Sequence, residues 1–344
     1  MHLHTVGIDI GKTSFHLVGM DGRGAIIVRK RLSRPQLVTF LANVAPTLIG
    51  MEASCGAHYL GAILAAQGHD VRLIPAQFVK PFVKSNKNDY VDAEAIAEAV
   101  QRPTMRFVPI KTIDQLDLQA LHPVRDRLVS RRTGVINQFR AFLLERGMTV
   151  RQGRAYLRSH MPAILADAEQ MLSPRMLRVI HQLWREWQEL ERQITEVTDE
   201  IESIAAQDEG CRRLLEVPGV GALVATAVVA SIGKGTAFSK GRDFAAWLGL
   251  VPRQYSTGGK PKLMGISKRG NEYLRRLSIH GARSVVMHAN RQRHAIGKWI
   301  SDLEQRVHRN VLVVALANKL ARIAWAVLAR DDAYRRRPAV LGEA

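Results

Sequence analysis

The order of segments in the first hundred residues is what most narrows the folds open to this chain. Residues 5–10 (TVGIDI) are a short apolar run of strand character. Residues 14–20 and 25–30 repeat it on either side of the turn Asp21-Gly22-Arg23-Gly24. A helix is expected from Ser33, a capping residue, to about residue 44, followed by a short apolar strand at 48–51. Residues 57–67 read as a helix that stops at Gly68, 71–74 as a strand, and 76–84 and 90–101 as helices. The expectation is a hairpin-connected meander continued by alternating α/β units.

That order resembles the ribonuclease H-like arrangement. Sugar kinases and actin-like ATPases share its core, so the order alone names no function. A kinase of that kind also needs a second half-domain with a matching glycine-rich phosphate strand, and the sequence offers none. The acidic residues narrow the choice further. Asp9 lies in the first strand (VGIDIGK), Glu52 directly follows the fourth (GMEASCG), and Asp89 and Asp92 fall three apart at the start of a helix (KNDYVDAEAIAE), on one face. In a ribonuclease H-like fold these positions converge. Four carboxylates repel one another unless hard divalent cations neutralise them, and an all-oxygen site suits Mg²⁺ or Mn²⁺. The competing readings are piecemeal: Asp89 as a helix cap and Glu52 as a loop residue.

Charge points to the partner. The chain of 344 residues carries a formal +19 with a pI near 10.5, its Lys and Arg spread along the whole length. Such a field favours a polyanion, nucleic acid ahead of anionic membrane. Two cysteines, Cys55 and Cys211, indicate no disulfide framework. No secretory signal pattern is present, and the longest apolar tracts, 220–232 and 311–317, are too short to span a bilayer. The expectation is a soluble, cytoplasmic protein with no membrane partner.

Four further stretches carry signals. In 123–147 the apolar Leu128, Ile136, Phe139 and Leu143 keep helical spacing, while Arg125, Arg127, Arg131, Arg132 and Arg140 populate the remaining surface, a candidate face for a nucleic-acid backbone. Ile180, Leu183, Trp187, Leu190, Ile194, Val197, Ile201 and Ile204 recur at alternating threes and fours, flanked by charge. This heptad pattern predicts a coiled coil between protomers, or else a long helix packed within its own chain. Val217-Pro218-Gly219-Val220-Gly221 lies between two helical stretches, as in a helix-hairpin-helix whose N–H groups, at Gly219 and Gly221, would hold a phosphate. An αα-hairpin buried in the core would read the same. Finally, 244–277 passes from apolar residues into a polar turn, Ser256-Thr257-Gly258-Gly259, and then into Lys260, Lys262, Lys268, Arg269, Arg275 and Arg276. Hydroxyls on a glycine-rich turn in a basic field suit a phosphodiester. An apolar helix is expected over about 311–329, and the chain closes on a basic tail, Arg335-Arg336-Arg337-Pro338.

With VGIDIGK, MEASCG, NDYVDAEAIAEA, VRDRLVSRRTGVINQFRAFLLERG, VPGVG and GLVPRQYSTGGKPKLMGISKRGNEYLRRL in that order, the chain resembles the Piv/MooV invertase-related insertion-sequence transposases, the bridge-RNA-guided recombinases. The resemblance implies a RuvC-like domain at 1–150 bearing Asp9, Glu52, Asp89 and Asp92, a coiled coil at 151–207, and a C-terminal transposase domain at 208–344 with a nucleophilic serine. It implies donor and target DNA as substrates, a structured noncoding guide RNA, and a homo-oligomer, dimer or tetramer. Many members carry the serine directly before the glycine, where this chain has Thr257, so the assignment moves to Ser256. The implied activity is strand cutting and rejoining, with active sites contributed by different protomers. The rivals are a metal-dependent junction resolvase, in which water attacks, and a non-catalytic nucleic-acid-binding protein.

Overall fold

A computed structural model describes residues 3–84, 88–290 and 295–334 of the chain; the basic tail at 335–338 lies outside the described residues. Two compact units emerge, residues 1–115 with 235–239, and residues 116–234 with 240–344. Compactness therefore divides the chain at residue 115, whereas the sequence reading drew its first boundary at 150.

The first unit is a five-stranded mixed sheet with helices. Its elements are β1 (Thr5–Ile10), β2 (Phe15–Met20), β3 (Ile26–Leu32), α1 (Arg34–Ala42), β4 (Leu48–Glu52), α2 (Ala57–Ala66), β5 (Asp70–Ile74), α3 (Ala76–Val79) and α4 (Asp89–Val100). Strand order is β3-β2-β1-β4-β5. β1, β2 and β3 pair antiparallel, whereas β4 runs parallel to both β1 and β5, as helical crossovers demand. This is the ribonuclease H-like arrangement the segment order predicts. Ser33 caps α1 through a reciprocal capping box with Gln36. The helix expected over 76–84 is shorter: α3 is one turn, continued by a 3-10 turn at Lys80–Phe82. Pro81 has no N–H to give, and it ends the helical ladder.

The second unit is helical apart from one hairpin. Its long helices are α5 (Ile113–Leu144), α6 (Arg154–Met171) and α7 (Pro174–Gln207). Then follow α8 (Glu209–Leu215), α9 (Ala222–Ile232), α10 (Gly241–Trp247), β6 (Pro252–Thr257), β7 (Lys260–Ile266), α11 (Glu272–His288), α12 (Ala295–Glu304) and α13 (Arg309–Ala329). α7 carries the heptad stripe, but the stripe is occupied within the chain. Ile180, Leu183, Trp187, Leu190 and Ile194 form one core with Leu128, Ile136, Phe139 and Leu143 of α5 and Leu157 and Met161 of α6. Farther along, Ile201 is also buried, where α7 packs on α8 and α9. The seam expected between protomers is thus a correction. The large apolar side chains of α7 are each worth about 1.5–3 kcal/mol on burial, and α5 and α6 supply that burial locally.

α13 is, by length and composition, the one described helix apolar enough to cross a membrane. This revises the expectation drawn from the shorter tract at 311–317. Half of its most apolar window is buried, with Leu312, Leu316, Ala317 and Leu320 in the core and the helix packed on α10 and α11.

Candidate functional site: a carboxylate cluster and an exposed hairpin

The sheet itself brings the four predicted carboxylates together. β1 and β4 are parallel neighbours in register to Ile8 opposite Met51, so Asp9 and Glu52, the next residues, leave the two strands side by side. α4 lies across β1, β2 and β4. It can approach closely because Gly7 and Gly50 present no side chain: a Cβ on Gly7 would stand 2.1 Å from the Ala93 carbonyl oxygen, and one on Gly50 2.8 Å from the Val100 side chain. On the helix side, the small Ala93 and Ala97 complete the fit. Asn88 caps α4, its side chain accepting from the Tyr90 amide at 2.9 Å. Asp89 is therefore not the cap. It and Asp92 occupy the first turn, where the helix dipole favours negative charge.

The cluster is electrostatically crowded. Burial raises the Asp9 carboxyl above its ordinary pKa; Asp92 and Asp89 raise it further, His16 opposes them, and Glu52 adds a smaller push. The Glu52 carboxyl is raised by burial and then by Asp92. Asp9 thus feels the other three carboxylates and Glu52 feels Asp92, and this oxygen-rich donor set fits a hard divalent cation.

His16 escaped the sequence reading. It lies on β2 directly opposite Asp9 in the ladder, and only 8% of it is exposed. Its Nδ1 is 3.3 Å from the Asp89 carboxylate, and its ring meets Tyr90 edge-on with centroids 4.9 Å apart. One ligating atom each from Asp9, His16 and Asp89 lie within 4.8 Å of one another.

The stretch expected to be a polar loop around Ser256 is instead an antiparallel hairpin. β6 and β7 are joined by Gly258-Gly259, with φ of 58° and 75°, the pair of positive values a two-residue type I′ turn requires. The register pairs Tyr255 with Lys262, Ser256 with Pro261 and Thr257 with Lys260. Directly opposed residues share a face and successive residues alternate. Ser256 therefore lies with Gln254, Pro261 and Leu263 on a face without charge, while Thr257 lies with Tyr255, Lys260 and Lys262 on the basic face. The Ser256 hydroxyl accepts from the Gln254 amide at 2.8 Å. From Pro252 to Gly265 every residue is exposed, Tyr255 at 69% and Leu263 at 67%.

Among the described residues, it is the root of the hairpin that is tied down. Ser267 N–H donates to the Val251 carbonyl at 2.8 Å and Lys268 N–H to that of Gly249 at 3.2 Å. A Cβ on Gly270 would fall 1.7 Å from the Trp247 carbonyl oxygen, so the two ends of the segment cross backbone against backbone. Arg275 closes this root. It is 8% exposed and donates to the carbonyls of Leu248 at 3.1 Å and Arg269 at 2.9 Å. Its expected phosphate contact is corrected on that ground, since those carbonyls already take the guanidinium. Arg276 pairs with Asp126 and lies over the Tyr273 ring, while Lys260, Lys262, Lys268 and Arg269 are exposed.

Elsewhere the basic candidates are largely engaged by the chain itself. Arg125 donates to Thr198, Arg131 pairs with Glu186, Arg132 with Glu191, and Arg140 donates to the Arg151 and Gly153 carbonyls. Arg127 is exposed and has no such partner among the described residues. Between α8 and α9, Gly219 has a φ of 78° and packs against Gly281 of α11; a Cβ there would stand 2.7 Å from the Gly281 carbonyl oxygen. That side of the turn is a packing junction, while Gly221 on the other side is exposed.

The carboxylates belong to the first unit, and Ser256 and Thr257 to the second. Two family profiles match, the first running past the end of the first unit into α5 and the second lying in the C-terminal part of the chain. A transposase profile of the IS110 DEDD kind covers residues 6–147, and that of the Transposase IS116/IS110/IS902 family covers residues 211–297. The chain is 44% identical to a Yersinia enterocolitica protein described as a transposase for insertion sequence element IS1328, over 96% of this chain and 98% of that one. It is 45% identical to a probable family 20 transposase of Pseudomonas aeruginosa, over 97% and 99%. A Coxiella burnetii transposase for insertion sequence element IS1111A is 43% identical, over 96% and 91%.

Proposed function

The chain belongs to the IS116/IS110/IS902 family of insertion-sequence transposases, and from that premise we propose that it cuts and rejoins DNA strands through a serine nucleophile assisted by a divalent metal. The observation that carries this reading is the meeting of Asp9, Glu52, Asp89 and Asp92, with the carboxyls of Asp9 and Glu52 held above their ordinary pKa. A DEDD transposase domain implies divalent-metal chemistry, and the donor set favours Mg²⁺, with Mn²⁺ as the alternative. Bound there, such a cation would polarise the scissile phosphate and lower the pKa of an attacking hydroxyl.

The residues of the chain do the rest. Ser256 presents its hydroxyl on the uncharged hairpin face, where Gln254 orients it. Its Oγ–P bond forms as the P–O bond to the departing strand breaks, and its proton ends on the departing oxygen. The reverse step reseals a strand, so the phosphodiester energy is conserved without ATP. Thr257 is the competing hydroxyl. It shares its face with Lys260 and Lys262, but its β-branch crowds in-line attack. Lys260, Lys262, Lys268, Arg269, Arg276, Arg127, the outward parts of Arg125, Arg131, Arg132 and Arg140, and the Gly219–Gly221 turn contribute backbone contacts to donor and target DNA and to a structured guide RNA. Two or more protomers assemble, with Ser256 of one serving the carboxylates of another, by surfaces other than the α7 stripe.

The test traps the reaction on labelled DNA of the element's ends and looks for a protein–DNA adduct. Adduct lost in Ser256→Ala and kept in Thr257→Ala supports the reading; the converse moves the nucleophile to Thr257. If the parent forms no adduct but cleaves with metal, water attacks and the enzyme acts as a resolvase. Recombination that survives exhaustive ribonuclease treatment removes the guide RNA.

A further inference from the structure

The carboxylate cluster has a fifth member that is not a carboxylate. His16 is placed by the sheet, because β1 and β2 pair antiparallel and put it directly across from Asp9. Opposed side chains in such a pair lie on one face with Cβ atoms about 5 Å apart. Its ring is fixed from two sides, by Tyr90 edge-on at 4.9 Å and by the Asp89 carboxylate at 3.3 Å from Nδ1. Tyr90 and Asp89 are adjacent residues of α4, so the close approach of α4 to Gly7 also sets the His16 ring. An imidazole held this way beside two carboxylates is a nitrogen donor already oriented.

We propose that His16 supplies a nitrogen ligand to a divalent metal held by Asp9 and Asp89, and that this nitrogen biases the site toward Mn²⁺ over Mg²⁺. The inference rests on the metal-dependent reading above. Its physical basis is donor softness. Mg²⁺ takes oxygen donors almost to the exclusion of others, whereas imidazole nitrogen strengthens binding of the transition metals. The geometry allows it: one donor atom from each of the three lies within 4.8 Å of the other two, a span that a single ion can bridge. Glu52 and Asp92 add negative charge near Asp9.

The experiment uses the full chain with Mn²⁺ as the probe and needs no turnover. Electron spin echo envelope modulation on Mn²⁺-loaded protein reads nitrogen within bonding distance of the metal. The parent is expected to display ¹⁴N coupling of the histidine type, and His16→Asn and His16→Gln to lose it. Titration followed by the free Mn²⁺ signal should find Mn²⁺ affinity lowered about tenfold in both variants, with competing Mg²⁺ weakened less. Circular dichroism confirms that the variants fold. If the parent binds Mn²⁺ without ¹⁴N coupling, His16 is not a ligand and the proposal falls while the metal-dependent reading stands. Coupling that persists in a folded His16→Asn protein assigns the nitrogen elsewhere and also overturns it. If the parent binds Mn²⁺ no better than Asp9→Asn does, the carboxylate site itself is wrong, and both readings fall together.

Discussion

In the first unit the chemistry-bearing side chains sit where a helix and two strands are pressed together without clearance, whereas in the second they sit on a ribbon that little else touches. Asp9 and Glu52 lie at the C-terminal ends of neighbouring parallel strands, Asp9 one residue short of the end of β1, and α4 is seated on Gly7 and Gly50 at distances that leave no room for a Cβ. Ser256 and Thr257 instead ride on a hairpin exposed along its length and fastened only at its root. Carboxylates that share a cation need fixed separations, and a rigid sheet with a close-packed helix supplies them. A hydroxyl that must meet a phosphate on a large substrate needs reach. A two-stranded hairpin with exposed Tyr255 and Leu263 is marginal by itself.

The sharpest way to break this comparison is Asp9→Asn. Loss of one cluster member should lower strand cleavage on the order of 10³-fold, about 4 kcal/mol, while DNA affinity holds or rises because repulsion falls. Gel assays of labelled ends and fluorescence anisotropy read the two quantities. Undiminished cleavage would leave the cluster without a catalytic part. Next is Gly7→Val, which forces a side chain into the Ala93 carbonyl. Overpacking of this kind costs about 1–3 kcal/mol, and urea unfolding should find the loss in the first unit. A neutral result would mean that the close fit of α4 does not hold the site.

The second unit offers a pH test. His122, 3% exposed, bridges Tyr273 of α11 at 3.1 Å and Thr226 of α9 at 3.2 Å. Burial, and then Arg125, lower its pKa to about 4. The folded state therefore resists a proton that the unfolded chain accepts near pH 6.5. Stability should be level above that value and decline as pH falls toward 4, by about 2 kcal/mol at pH 5. Unfolding of the parent and His122→Gln across this range reads it; an unchanged slope in the variant would remove His122 as the cause. The smallest effect is expected at the turn. Gly258→Ala places a Cβ at positive φ for about 1 kcal/mol, and because little packs on the hairpin, the midpoint of global unfolding should barely move while cleavage falls. A large drop in that midpoint would show the hairpin to be part of the core after all.

Much of the first unit is legible from residues alone, because short β-branched runs and helix stops mark its elements and the carboxylates fall at their ends. His16 was not, because a lone polar residue in a buried strand gains meaning only from the ladder that sets it against Asp9. In the second unit the α7 stripe announced a buried face without saying which chain covers it; a spacing of threes and fours is the same for both. The hairpin had its signal, Gly-Gly between two strand-capable runs, but the hydroxyls and lysines drew the reading toward a loop. Arg275 counted as surface charge because composition cannot foresee two backbone carbonyls waiting at Leu248 and Arg269.

The register of the hairpin has one more consequence. Ser256 and Thr257 differ by one position, and in a strand one position is a change of side. A slip of a single residue in β6 would hand the uncharged face to the threonine and turn the serine toward the lysines, with no amino acid altered. On the nucleophile reading proposed above, which hydroxyl is offered is a matter of odd and even, and the two glycines at the tip keep the count.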